Sequence, residues 1–148
     1  MRSKKIQIII AIIIILLIII LGYRFSLKKS IKKIIDDSTV LINSGNILTT
    51  LKYVSKDYKD SNGYDYLSIE TKLKQNAEYF KDIQIYIPRM RIHNIRISSV
   101  KCDVIAVINL KNKDLNNPKK FEQISIDFIK ETDGWKVKSI ERGYLKNR

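Results

Sequence analysis

The first stretch of the chain is apolar at almost every position. Residues 6–23, IQIIIAIIIILLIIILGY, contain no charged residue, and Gln7 is the one clearly polar side chain. At about 1.5 Å per residue, a helix of this length spans roughly 27 Å, close to the thickness of a bilayer core. Isoleucine favours strands in water, but in lipid the backbone groups must be satisfied within the segment, which favours a helix. The pattern therefore predicts a transmembrane helix over residues 6–23. Its apolar anchor residues include Ile6, Ile12, Leu16, Leu17 and Leu21.

A cleaved signal peptide is the alternative interpretation of this segment. The short basic tail, residues 1–5, fits both interpretations because both begin with positive charge. No small-x-small cleavage site follows the apolar run, whose flank reads ILGYR. We therefore expect an uncleaved, single-pass anchor in the cell membrane.

Basic residues on both sides of the apolar run bear on its orientation. Those on the C-terminal side are Arg24, Lys28, Lys29, Lys32 and Lys33. A count of positive charges alone favours a cytoplasmic C-terminal side. A short basic tail before the first apolar segment is instead typical of a signal anchor, and the lysines fall within a predicted helix. We expect the N-terminus inside, the domain of residues 24–148 outside the cytoplasm, and the five basic residues near anionic headgroups.

From residue 26 to residue 80 the apolar positions recur every three or four residues, which predicts helices. The first is expected from an N-cap at Ser26 to Gly45, and nothing but Gly22 separates it from the transmembrane helix. A second is predicted over residues 46–58, and a third over residues 68–80. The apolar faces are Leu27, Ile31, Ile34 and Leu41, then Ile47, Leu51, Val54 and Tyr58, then Ile69, Leu73, Ala77 and Phe80.

From residue 81 the apolar period changes to two, which predicts strands. They are expected at residues 82–87, 91–98, 101–111, 121–131 and 135–144. Pro88 indicates a bulge or an edge position, and Asp133-Gly134 indicates a two-residue hairpin turn. Helices followed by strands predict an α+β domain, with about three helices packed on a curved, four- to five-stranded antiparallel sheet. The predicted core or pocket residues are Val104, Phe128, Trp135 and Val137.

The net charge of the chain indicates which kinds of partner it suits. The formal net charge of +13 suits anionic lipid, nucleic acid or an acidic protein. The abundance of Lys, Ile and Asn together is also what an AT-rich genome produces, and the interleaved aromatic and basic residues of a nucleic-acid platform are absent. We therefore do not expect nucleic acid as a partner.

Cys102 is the single cysteine, so no intramolecular disulfide can form, and we expect a buried, inert thiol.

The order of elements, the segment DYKDSNGYDY and the last hairpin, FIKETDGWKVKSIE, resemble the nuclear transport factor two-like superfamily. The resemblance covers roughly residues 27–145. It implies the cone-shaped fold shared with ketosteroid isomerases, and a homodimer. The superfamily includes enzymes, ligand binders and assembly modules, so the fold alone does not give the function.

Enzymes of this fold carry an Asp base, an Asp or Tyr oxyanion donor, or a His–Asp pair inside the cone. The resemblance therefore makes Asp127, Tyr53 and His93 weak catalytic candidates. Asp127 would be a base only if its face of the strand lines the cone, where burial would raise its pKa. The sequence contains no metal-ligand cluster, phosphate loop or nucleophile elbow, so neither a metal nor a cofactor is expected.

These patterns favour a membrane-anchored, non-catalytic binding or assembly module of the bacterial cell envelope. It would contact an envelope protein or an apolar ligand through its sheet or cone. One alternative is a small enzyme of the isomerase or dehydratase type that uses a carboxylate or Tyr inside the cone. Another is a cytoplasm-facing basic domain that binds nucleic acid or anionic lipid.

Overall fold

The computed structural model of the protein describes residues 2–111 and 120–143, with side chains from residue 6 onward. The chain divides into two compact units, Met1–Lys33 and Ile34–Arg148. The side chains of the basic tail and the last predicted strand residue, Tyr144, lie outside the described part.

The first unit is helical throughout its described residues. Helix α1 extends over Arg2–Asn43, so the transmembrane and first domain helices predicted from the sequence are continuous. Ser26 is therefore an interior residue and not the predicted N-cap; its carbonyl accepts a hydrogen bond from Ser30 Oγ at 3.1 Å. From Ile6 the helix is long and apolar enough to cross a membrane, with a mean hydropathy of 3.2 in an 18-residue window of which 0% is buried. Length and composition alone do not separate such a helix from a signal sequence near an N-terminus.

In the second unit, α1 ends as the sequence predicts. Gly45 has a φ of +80°, and its neighbour Asn46 donates a backbone hydrogen bond to Leu41 O at 2.8 Å. A residue in the left-handed region commonly ends a helix in this way, and glycine adopts that backbone conformation without strain.

The second predicted helix is shorter than expected. A 3-10 helix covers Ile47–Tyr53, and Val54 is already extended, with φ −96° and ψ 129°. Val54 forms a bridge with Val137, and Ser55 N donates to Val137 O at 2.9 Å. The predicted helical face through Val54 and Tyr58 is wrong because this backbone pairs with the edge of the sheet instead.

The third predicted helix is divided in two, α2 (Tyr66–Gln75) and α3 (Ala77–Lys81). Asp65 is the N-cap of α2, three residues before the predicted start, and its carboxylate accepts the Ser68 N–H at 2.8 Å. Asn76 interrupts the helix at φ −110° and ψ 14°, where its side-chain amide donates to Lys72 O at 2.8 Å. Such local hydrogen bonds compete with helical ones.

The described residues after α3 form a four-stranded antiparallel sheet, in the order β1-β2-β3-β4. The strands are β1 (Ile83–His93), β2 (Ser99–Leu110), β3 (Lys120–Glu131) and β4 (Gly134–Gly143). The two strands predicted on either side of Pro88 are one strand, with a shift of register between Tyr86 and Arg89. The predicted α+β fold class is confirmed.

The hairpin between β3 and β4 turns one residue earlier than predicted. Glu131 pairs with Gly134, so the two loop residues are Thr132 and Asp133. Gly134 opens β4 with a φ of +128°, a conformation that residues with a Cβ rarely adopt.

The sheet has two chemically different faces. Its inner face carries the buried residues Val104, Phe128, Trp135 and Val137, which are 1–8% exposed. Its other side, called here the polar face, carries Arg91, Asp103, Ser125 and Glu141 in register across the four strands. The alternation of side chains along each strand produces this division.

Candidate functional site

An apolar cavity of about 230 Å³ lies between the inner face of the sheet and the helical segments of the second unit. Residues 34–42 of α1 and the 3-10 helix cover one side. The sheet covers the other side with aliphatic side chains that alternate along its strands. Ala106 also lines the cavity, and its small side chain leaves space in a strand otherwise rich in Val and Ile. The aliphatic lining includes Ile34, Ile42, Ile85, Val104, Ile124 and Ile126.

Four hydroxyl-bearing residues line the cavity, namely Ser38, Thr39, Thr50 and Tyr53. Thr39 Oγ1 donates to Ile35 O at 2.8 Å, and Thr50 Oγ1 donates to Ile47 O at 2.5 Å. Among the described lining residues there is no Asp, Glu, His, Lys, Arg or Cys. Apart from these hydroxyls, the described lining is aliphatic or aromatic.

Tyr53 is the one sequence-predicted catalytic candidate that lines the cavity. Its hydroxyl donates to Asp37 Oδ2 at 2.9 Å, and Lys52 Nζ lies 4.9 Å from the centre of its ring. Asp37 belongs to α1, sixteen positions earlier, and the sequence pattern gave no signal for this contact. The bond orients the Tyr53 hydroxyl toward a carboxylate of the protein itself.

Asp127 is on the polar face and does not line the cavity. Its side chain is 37% exposed, with Lys101 Nζ 3.5 Å from Oδ1. Ser139 Oγ donates to Oδ2 at 3.1 Å. The condition under which Asp127 would act as a base, that its face of β3 lines the cone, is not met.

His93 is also on the polar face, where it contacts a carboxylate. Its Nε2 lies 2.8 Å from Asp103 Oδ2, and Ser125 Oγ donates to Asp103 Oδ1. Burial alone would raise the pKa of Asp103, but the hydrogen bonds with Ser125 and His93 outweigh it and lower that pKa.

The order of this network differs from that of a catalytic triad. In a triad the imidazole lies between the serine and the carboxylate and takes the serine proton. Here the carboxylate lies between Ser125 and His93, so the imidazole does not reach the hydroxyl. The partners of His93 could not be predicted from the sequence, because the pairing of Asp103 with Ser125 across two strands depends on register and not on local pattern. The network fixes side chains across three strands.

The predicted anchor and membrane-surface residues lie in the first unit. The five anchor residues are 51–64% exposed: Ile6, Ile12, Leu16, Leu17 and Leu21. The basic residues are also exposed: Arg24, Lys28, Lys29, Lys32 and Lys33. The apolar residues 6–21 of this helix are therefore exposed on all its sides.

Cys102 is fully buried in β2. Its side chain is 0% exposed, and burial, with a smaller contribution from Asp103, raises its pKa to about 12. A thiol with so high a pKa is a poor nucleophile and metal ligand at neutral pH. Within residues 2–111 and 120–143, no three His, Cys, Asp or Glu side chains come together as metal ligands.

No protein-family model matches the chain, and no curated protein matches it in sequence. Solved structures match its fold. An NTF2-like protein with a cystatin-like fold from Novosphingobium aromaticivorans is 13% identical, with a TM-score of 0.67; the match covers 86% of this chain and 90% of that one. Bd1075 of Bdellovibrio bacteriovorus is 10% identical, with a TM-score of 0.65, over 81% of this chain but only 41% of that protein.

A third similar structure is that of a Catenulispora acidiphila protein in complex with S-DNPA. It is 12% identical, with a TM-score of 0.61, and the match covers 79% of this chain and 92% of that one. At these identities the likeness shows the fold alone. The chain has the NTF2-like, cystatin-like fold.

Proposed function

We propose that the protein is a single-pass, membrane-anchored, non-catalytic binding module of the bacterial cell envelope, and that its cavity takes a small apolar ligand. The observation that carries this proposal is the aliphatic cavity without an acidic or basic side chain among its described lining residues. Transfer of an apolar molecule from water into such a cavity is favourable in free energy, and the molecule requires no charged partner.

The cavity size limits the ligand. Pockets for drug-sized ligands measure about 300–1,000 Å³, whereas dry apolar cavities of about 150 Å³ already bind benzene-sized molecules. A cavity of about 230 Å³ therefore suits a small aromatic or short aliphatic group. The Catenulispora acidiphila complex supports the use of this fold for small-molecule binding.

The apolar N-terminal helix supports the proposed anchor. Its length and hydropathy suit a membrane span, and its apolar residues are exposed along the whole run. We propose the cell membrane as the location, with the second unit outside the cytoplasm and the basic residues from Arg24 to Lys33 near anionic headgroups. An envelope protein partner and a homodimer remain part of the proposal.

Fluorine NMR of 4-fluorotoluene tests the proposed cavity function. The full-length protein is placed in lipid nanodiscs, and the spectra are compared with those of empty nanodiscs, because the probe also dissolves in lipid. We expect a saturable bound resonance. Ile124→Phe should abolish it, since Ile124 lines the cavity and the larger ring would fill it.

Ile105→Phe is the matched control. Ile105 lies on the adjacent strand, opposite Gln123 and on the polar face, so the same substitution leaves the cavity open. Fluorescence of Trp135, the single Trp, verifies that both variants are folded. Absence of a bound resonance in the wild type, or equal loss in both variants, would contradict the proposal.

An enzyme of the isomerase type is the second candidate, and the contact between Tyr53 and Asp37 at the cavity is the observation in its favour. The Tyr hydroxyl would donate to a substrate oxygen only after releasing the carboxylate. If Tyr53→Phe leaves binding of the probe intact, ligand binding does not depend on this pair. Turnover of a bound molecule that is lost in the same variant would instead support the enzyme.

A further inference from the structure

A second concave surface, the basic cleft, lies on the polar face of the sheet and measures about 320 Å³. Its charged lining residues are Lys59, Arg96, Lys101, Lys138 and Asp127. Four cations thus face one carboxylate, an excess of three positive charges at a single concavity. Concave surfaces lined by one sign of charge concentrate ligands of the opposite sign.

An irregularity in β4 brings two of these cations together. Asp127 pairs with Ser139 and Phe128 pairs with Val137, so Lys138 is an extra residue opposite β3. Bulges of this kind redirect a side chain. The backbone N–H of Lys59 donates to Lys138 O at 3.0 Å, which fixes these two lysines beside each other along the sheet edge.

The connection between β1 and β2 supplies the opposite wall. Asn94 has a φ of +50°, in the left-handed region, and Arg96 N donates to Ser99 O at 2.8 Å. Ser98 O accepts from Lys130 N at 2.8 Å, which ties this connection to β3. The backbone holds Arg96 at the cleft, with Asn94 and Ser99 as uncharged polar neighbours.

Two of the four cations of the cleft have a carboxylate of the protein beside them. Lys101 Nζ lies 3.5 Å from Asp127 Oδ1, within the cleft itself. Lys59 forms a backbone bridge with Asp65, and its positive charge helps to lower the pKa of that carboxyl. Over the described ranges, 2–111 and 120–143, neither Arg96 nor Lys138 forms an ion pair with a carboxylate. Like charges held close together by the backbone repel one another until an anion binds among them.

We propose that the basic cleft binds a phosphorylated small anion. Arg96 supplies a planar fork that matches two phosphate oxygens, and the lysines supply point charges on either side. The negative charge of Asp127 repels the anion and therefore lowers its affinity for the cleft. This site is independent of the apolar cavity, because it lies on the other face of the sheet and shares only Phe128 with the cavity lining.

Isothermal titration of the full-length protein with inorganic pyrophosphate, in nanodiscs of zwitterionic lipid, tests the proposal. We expect saturable binding at one site. Arg96→Ala and Lys138→Ala should each weaken it by roughly tenfold, as for the loss of a hydrogen bond to a charged group. Lys74→Ala is the matched control, since Lys74 pairs with Glu70 on α2 and does not line the cleft, and it should change the affinity less than twofold.

Asp127→Asn provides a test with the opposite sign. Asn retains an oxygen that accepts from Ser139 Oγ but removes the one carboxylate of the cleft, so pyrophosphate should bind several times more tightly. Weaker binding in this variant would overturn the proposal. So would the absence of binding, or equal losses in the Arg96, Lys138 and Lys74 variants.

A second probe, dihexanoyl phosphatidate, distinguishes a lipid headgroup from a free phosphorylated molecule. Both probes should lose affinity in Arg96→Ala if the cleft is their site. Tighter binding of phosphatidate than of pyrophosphate identifies a headgroup, and the reverse order identifies a free phosphorylated anion. Retention of both affinities in Arg96→Ala would contradict the cleft as the site.

Discussion

Lys101 and Asp127 stand directly opposite each other on β2 and β3, with the lysine Nζ 3.5 Å from the carboxylate Oδ1. Their chain neighbours Cys102 and Phe128 are buried on the other face of the sheet. Consecutive residues on each of these strands therefore lie on opposite faces of the sheet, one on the charged surface and the next in the apolar interior. The sheet lines an apolar cavity on one side and a basic cleft on the other.

Asn43, the last residue of α1, should be important for stability. Its side-chain amide donates to Ile85 O at 2.8 Å, and its Oδ1 accepts from Ile85 N at 2.6 Å. It therefore pairs with edge strand β1 as another strand would. Asn43→Ala should lower the free energy of unfolding by about 2 kcal/mol, as expected for two lost hydrogen bonds. Urea unfolding of the full-length protein, followed by Trp135 fluorescence, measures this change.

Asn46→Ala is the control for that experiment. The Asn46 amide lies in an exposed turn and donates to Ser44 Oγ at 3.2 Å, so its loss should change the free energy of unfolding by less than about 0.5 kcal/mol. Equal effects of the two substitutions would show that the Asn43 contact contributes little.

Gly134→Ala should also destabilise the second unit. Nothing lies within 4 Å of a Cβ built at Gly134, so the cost arises from its φ of +128° alone. Forcing a residue with a Cβ into such a conformation costs about 1–3 kcal/mol. Gly22→Ala, also without a steric neighbour but in a helix, should leave Trp135-detected unfolding unchanged. Similar urea midpoints for wild type and Gly134→Ala would contradict the conformational argument.

Tyr58 should make stability fall at high pH. Burial, followed by repulsion from Asp60, raises its pKa from 10.0 to about 12. Because the folded pKa is higher, its contribution is complete below pH 10 and is lost as pH rises toward 12. A shift of this size corresponds to roughly 2–3 kcal/mol.

Tyr58→Phe isolates this effect. The variant loses the hydrogen bond to Asp60 Oδ2 at 3.2 Å, so it should be less stable than wild type at pH 8. Between pH 10 and pH 12 the wild type should lose part of that advantage. Urea midpoints measured across this range give the difference, and a constant gap would be evidence against a raised pKa.

The orientation of the anchor can be measured with a reporter fused after Arg148. Alkaline phosphatase folds only outside the cytoplasm because it needs disulfides, so it should be active in this fusion. Replacing Lys28, Lys29, Lys32 and Lys33 with Gln removes charge that opposes this orientation, and activity should be kept or increased. An inactive but membrane-bound fusion would place the second unit in the cytoplasm.

The periodic parts of the fold could be predicted from the sequence. The apolar run, the termination at Gly45 and the period-two strands are local signals, and they yield the α+β class and the irregularity near Pro88. The helix predicted through Tyr58 failed because residues after Tyr53 pair with β4, and pairing with a distant edge leaves no periodic signal.

The sites depended on register and were harder to predict. Asp127 was assigned conditionally to the cone, and the pattern of β3 alone did not say which of its two half-buried faces is inner. The contact of Tyr53 with Asp37 and the extra residue at Lys138 arise from pairing between elements. Neither follows from composition or spacing.

Photolabelling with a small aliphatic diazirine tests ligand binding in the cavity most directly. The full-length protein in nanodiscs is irradiated with the probe, and labelled residues are mapped by mass spectrometry. We expect labels at cavity residues such as Ile42, Val104 and Ile124, with the labels at Ile42 and Val104 lost in Ile124→Phe and retained in Ile105→Phe. Labels confined to the apolar residues 6–23, with none in the cavity, would contradict the proposed function.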